Sequence, residues 1–176
     1  MKNSNLLKYA LLGATAIVLV AFIARGRAKE DVLVYDSTEA CITAGQQDPA
    51  VCEAEFAKAE KLHEEVAPRY ASENQCYSEY GHNRCYRQRS SSLWLPFMVG
   101  YMLAPRGGFG FSQPLYRPSS NPGRFYTAGN SPVGAVSAGG RTQVAKSQVS
   151  KPPVRTRTVA RGGFGSRATA GRGAGS

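Results

Sequence analysis

The sequence predicts an α+β protein: an N-terminal transmembrane helix, a small disulfide-stapled domain of helices and strands with an internal repeat, and a Gly/Pro-rich, largely disordered basic tail. Three observations carry this. First, 22 Lys/Arg against 12 Asp/Glu give the 176 residues a net charge of +10, yet every acid lies between Glu30 and Glu79. Second, residues 80–176 hold 14 bases, 16 of the 19 glycines and eight of the 10 prolines, a composition unsuited to a large packed core. Third, the four cysteines stand as two pairs within or just beyond the acidic stretch. The predicted organisation is a membrane anchor with basic flanks (1–29), an acidic cysteine-containing domain (30–89), an apolar segment with a semi-ordered extension (90–127) and a disordered basic tail (128–176). A foldable stretch of about 60–75 residues is marginal without staples, which excludes a large enzyme domain.

The anchor rests on 16 uncharged residues from Tyr9 to Ala24. A helix rising about 1.5 Å per residue spans roughly 24 Å over that run. Leu6 and Leu7 extend it, and Lys8 can snorkel to the interface. The alternative is a cleaved signal peptide, but Arg25-Gly26-Arg27-Ala28-Lys29 is a poor small-x-small cleavage site. The flanking bases tie, so charge alone does not set topology.

The acidic stretch contains a repeat. Tyr35-x-Ser37-x-x-x-Cys41 matches Tyr70-x-Ser72-x-x-x-Cys76, and each copy runs on through a glycine (Gly45, Gly81) to a second cysteine (Cys52, Cys85). The copies occupy about 32–52 and 67–85. Asp31–Tyr35 is β-branched and aromatic enough for a short strand. Ser37 or Asp36 caps a helix that Gly45 ends in a left-handed turn. Asp48 and Pro49 open a second helix, with Cys52, Phe56, Ala59, Leu62, His63 and Val66 along one face, and Pro68 stops it. Ser72 caps a third, with Gln75 at the capping-box position and Gly81 at its end.

An even cysteine count in a small domain beyond an anchor points to disulfides, and the repeat favours Cys41–Cys52 and Cys76–Cys85. Disulfides place the body on the outer side of the membrane with the N-terminus inside. Zinc is the rival, through Cys76, His82, Cys85 and His63, but C-x5-H-x2-C is not a standard zinc spacing. No nucleophile elbow, phosphate loop or H-E-x-x-H is present, and His63 reads as a helix residue. No enzyme activity, cofactor or metal is expected.

Ser90–Pro105 is uncharged and holds the single Trp. Trp94, Phe97, Met98, Tyr101 and Met102 are candidate partner-binding residues; the competing reading is a strand or short helix completing the core. Arg106-Gly107-Gly108-Phe109-Gly110 recurs as Arg161-Gly162-Gly163-Phe164-Gly165. Two such copies make a thin RNA-binding array, and an outer location argues against nucleic acid. The basic tail better suits membrane lipid or an acidic partner surface.

The two Tyr-x-Ser-x-x-x-Cys copies, Ala67-Pro68-Arg69-Tyr70-Ala71, Trp94–Met102, Gln113-Pro114-Leu115-Tyr116 and Arg161–Gly165 together resemble the YgiB-like family of uncharacterised bacterial envelope proteins, over most of residues 32–166. The resemblance implies a bacterial protein of uncharacterised function; together with the anchor, the cysteines and the apolar segment, the expectation is a non-enzymatic, single-pass protein of the bacterial inner membrane whose main domain faces the periplasm and binds an envelope protein partner. Some members look like lipoproteins; this chain lacks a lipobox cysteine. Proximity of family genes to ATP-grasp ligases similar to glutathionylspermidine synthase implies a link to such a ligase. The chain would then serve as its accessory, or as an amide-forming substrate through Gly173-Ala174-Gly175-Ser176. The resemblance supplies no catalytic residues.

Overall fold

The structure, a computed structural model, describes residues 29–104 and 111–154. The predicted transmembrane helix and both Arg-Gly-Gly-Phe-Gly copies lie outside the described residues. Among the described residues no helix is long and apolar enough to cross a membrane.

The chain order is β1 (Lys29–Tyr35), α1 (Thr38–Ala44), α2 (Pro49–Val66), α3 (Glu73–Tyr80), β2 (Cys85–Arg87), β3 (Trp94–Pro96), β4 (Gly100–Leu103), β5 (Ser112–Tyr116), β6 (Tyr126–Thr127) and β7 (Arg141–Ala145), followed by a 3-10 turn over Lys146–Val149. The helix starts follow from local side-chain chemistry. Ser37 accepts from the Ala40 N–H at 3.1 Å, and Gly45 closes α1 at φ 62°. Ser72 accepts from the Gln75 N–H at 3.4 Å, and the Gln75 side chain accepts from the Ala71 N–H at 3.2 Å. Asp48 occupies the cap position of α2 without a side-chain hydrogen bond, so Pro49 at the first helical position carries that start.

Five strands form an antiparallel sheet in the order β6-β5-β4-β1-β7. Strands β2 and β3 make a separate ribbon. Strand alternation sorts the sheet's side chains onto two faces. Leu33, Tyr35, Tyr101 and Leu103 face α1 and α2, packing with Cys41, Cys52 and Ala59. Val32, Val34, Met102, Leu115 and Val144 point the other way and are covered by Val133 from the chain between β6 and β7. A third cluster joins the end of α2, α3 and the ribbon through Leu62, Val66, Tyr70, Tyr80, Leu95 and Tyr116. Pro114 fits inside β5 because β6 pairs only with Leu115 and Tyr116, leaving no ladder partner for the N–H that proline lacks.

Two sequence expectations need correction. The acidic segment 30–89 is not a self-contained domain. It supplies β1 and the helices, while β1's partners β4 and β7 come from residues 100–103 and 141–145. Nor is the chain disordered throughout residues 128–176: Val133, Thr142 and Val144 are buried, and β7 completes one side of β1. Glycine and proline content concealed this, because a few well-spaced apolar residues suffice when the sheet face is already built. The remainder of the tail, 155–176, lies outside the described residues.

Gly140 shows how closely that return segment packs. Its φ is +82°, and a Cβ there would lie 2.5 Å from Cε1 of Tyr35. Only glycine combines that backbone with that approach.

Candidate functional site

The cysteines pair within the copies, Cys41 with Cys52 and Cys76 with Cys85. The copies match in their first halves: strand or bridge residue, serine cap, helix, cysteine on the helix. They diverge in their second halves, since Cys52 sits on α2 while Cys85 begins β2. All four cysteines are buried. The zinc alternative fails because Cys76 and Cys85 are joined and present no thiolate. His82 is exposed, with its ring 5.0 Å from that of Tyr77.

The site's polar centre is His63, buried in the last turns of α2. Nδ1 lies 2.8 Å from the Tyr116 hydroxyl and Nε2 lies 2.9 Å from the Tyr86 hydroxyl. Tyr86 in turn donates to Oε1 of Glu64 at 2.7 Å, and Gln88 donates to its Oε2 at 3.0 Å. The proton directions follow from Glu64. Burial raises its pKa, but hydrogen bonds from Tyr86 and Gln88, with the Arg69 charge, outweigh this and hold it below the ordinary carboxylate value. An ionised carboxylate only accepts, so Tyr86 donates to it and must accept from His63 Nε2–H. Nδ1 then accepts from Tyr116. Burial pushes the imidazole down to about 4, against a smaller opposing pull from Glu64. The histidine is therefore neutral at pH 7, in one fixed tautomer. Burial, then the bond to Glu64, drives the Tyr86 phenol well above its usual range.

A buried acid, Glu55, lies further back along α2. Glu55 accepts from Ser112 at 2.6 Å and pairs with Lys58 at 2.6 Å. A one-faced apolar reading of α2 passes over Glu55, and nothing local distinguishes it from the solvated acids around it. Tyr86, Gln88 and Tyr116 also escape a sequence reading, because their partners are 22 to 53 residues away in the chain.

The five apolar candidates separate. Tyr101 and Met102 are fully buried, on opposite faces of β4, and are core residues rather than a binding surface. Burial pushes the Tyr101 phenol up to about 12. Met98 packs partly buried against the same cluster as Tyr101. Trp94 lies half-buried against Tyr77 of α3, with ring centroids 6.4 Å apart. Phe97 is 48% exposed and stacks on Tyr86 at 5.2 Å with an interplanar angle of 26°. The β2–β3 ribbon thus puts aromatic surface beside the His63–Glu64 network, because Tyr86 belongs to both.

Fold and site together define a small α+β domain stapled by two disulfides, with an aromatic ribbon over a buried histidine network. The family described as "Protein of unknown function (DUF1190)" matches residues 29–175, and the chain belongs to it. The chain is 31% identical over 176 residues to a UPF0441 protein of Klebsiella pneumoniae (strain 342), covering 88% of this chain and 78% of that one. It is 32% identical over 179 residues to the UPF0441 protein of Serratia proteamaculans (strain 568), covering 89% and 81%. It is 30% identical over 183 residues to UPF0441 protein YPTB3401 of Yersinia pseudotuberculosis, again covering 89% and 81%. No solved structure matches.

Proposed function

We propose that this is a non-enzymatic protein of the bacterial envelope, anchored in the inner membrane by residues 1–29, whose folded domain faces the periplasm and serves as a structural or partner-binding module. The observation that supports this best is the pair of buried disulfides, one in each of two cores. Disulfides of this kind persist in oxidising compartments. The exposed Phe97 on Tyr86 supplies the binding surface, because a stacked aromatic pair on a rigid ribbon suits the centre of an interface.

Two measurements test the reading. A membrane-impermeant thiol reagent applied to spheroplasts of cells expressing Ser92→Cys labels a periplasmic domain directly; labelling only after permeabilisation overturns the topology. A photocrosslinking residue at Phe97 captures a discrete envelope protein, while one at Ile42, exposed on α1, does not. Equal capture at both positions refutes a ribbon-centred interface.

A further inference from the structure

At the end of the large sheet where β1 runs into α1, a cleft of about 190 Å³ opens, lined by Val34, Tyr35, Ala44, Arg117, Phe125 and Val136. Its walls mix apolar side chains with nearly as much polar surface, and among the described residues its one cation is Arg117, the residue that follows β5. The Arg117 Cζ sits over Phe125, 4.0 Å from the ring centroid. That stacking holds the side chain in place without using its donors. The Arg117 Nε is buried and meets no acceptor among the described residues. Arg141, by contrast, spends its guanidinium on the Gln46 side chain. Buried donors in native folds are nearly always paired, so a stacked guanidinium whose Nε lacks an acceptor, at the wall of a cleft, calls for an outside acceptor.

We infer that this cleft binds a small carboxylate with an apolar body, the Arg117 fork taking the carboxylate and Val34, Ala44 and Val136 taking the body. A planar guanidinium matches a carboxylate through two parallel N–H donors, which a lysine cannot reproduce. The volume falls below the roughly 300–1,000 Å³ typical of drug-sized ligands, which limits the occupant to a free small acid or the carboxyl end of a longer chain. Asp36 on the cleft wall opposes a bound anion and sets a limit on affinity. The cleft uses neither the Tyr86–Phe97 pair nor the topology, so it stands or falls independently of the partner-binding reading.

Isothermal titration calorimetry on the full, disulfide-intact chain in detergent tests it, with phenylacetate as probe and phenylacetamide as the uncharged control. Expected is saturable phenylacetate binding that weakens at least tenfold in Arg117→Met, several-fold in Arg117→Lys, and strengthens in Asp36→Asn. Val136→Phe fills the cleft from an exposed position while keeping Arg117, and it too loses binding; this variant decides the matter if Arg117→Met does not fold. No saturable heat, equal binding of phenylacetamide, or full-strength binding by Val136→Phe overturns the assignment. A Gly-Gly-Phe peptide with a free carboxylate, set against its amidated form, identifies the source. Tenfold tighter binding than phenylacetate, lost on amidation, supports a chain terminus; equal or weaker binding supports a free acid.

Discussion

Tyr116 of β5 donates its hydroxyl proton to Nδ1 of His63 on α2, 2.8 Å away across the seam between helix and sheet. Further along the same seam Ser112 donates to Glu55 at 2.6 Å. Eight helical residues from Glu55 to His63 advance about 12 Å, and four strand residues from Ser112 to Tyr116 advance about 14 Å. The two contacts therefore pin α2 to β5 at nearly matched spacing. Sliding the helix would break both and strand buried polar groups.

Stability should fall with acid between pH 6.5 and 4. His63 has an ordinary pKa of 6.5 when unfolded and about 4 when folded. In that window the unfolded chain binds the extra proton, so stability is complete above 6.5 and drains away as pH approaches 4. The loss amounts to about 3 kcal/mol. Urea unfolding at a series of pH values measures it, and His63→Gln should flatten this part of the profile. An unchanged profile in that variant would assign the effect to other groups.

Both tyrosines should matter. Tyr116→Phe leaves Nδ1 buried with no donor, at a cost of about 1–3 kcal/mol. Tyr86→Phe leaves the Nε2–H of buried His63 with no acceptor, at a similar cost, and also releases Glu64, which is exposed and recovers water. A negligible loss for either variant in denaturant unfolding would contradict the network assigned above.

Each disulfide closes a short loop, with sequence separations of 11 and 9. Paired Cys→Ala substitutions should cost about 3 kcal/mol per bridge, through the unfolded chain. Thermal denaturation reads this, and peptide mapping without reductant should recover the 41–52 and 76–85 pairs alone. A mixed Cys41–Cys76 peptide would refute the pairing.

The acidic segment was legible where its signals are local. Serine caps, Gly45, Pro49 and the strand before Tyr35 all act within a few residues, and each lies where the pattern places it. The cysteine pairing was legible because the repeat itself carries it. What stayed hidden depends on distance along the chain. Tyr101 and Met102 have the composition of an interface and of a core alike, and only their pairing with Tyr35 and Val34 decides for the core. Arg117 gives no signal until Phe125 and the end of β1 come together around it. β7 stayed hidden because Arg141–Ala145 is a weak strand alone and takes its shape from β1.

Removing β7 should therefore be costly. A chain ending at residue 128 exposes one edge of β1 and uncovers Val32 and Val34, whereas a chain ending at 154 keeps all seven strands described. The shorter protein should aggregate or lose cooperative melting, and the longer should melt cooperatively. Within the longer chain, Gly140→Ala should cost more than about 1 kcal/mol, from the positive φ and the collision with Tyr35. A neutral result would show that the return segment packs more loosely than its glycine indicates.

The place of β1 in the sheet also sets an order of events as the chain folds. It is the first strand among the described residues and lies between β4 and β7, whose paired residues follow it by roughly 70 and 110 positions. Both disulfides span far shorter loops and can close while β1 still lacks its neighbours. During that interval β1 presents unpaired N–H and C=O groups, a hazard that edge strands share. The early bridges thus hold the helices in register around a strand that must wait for nearly the whole domain before its last edge is covered.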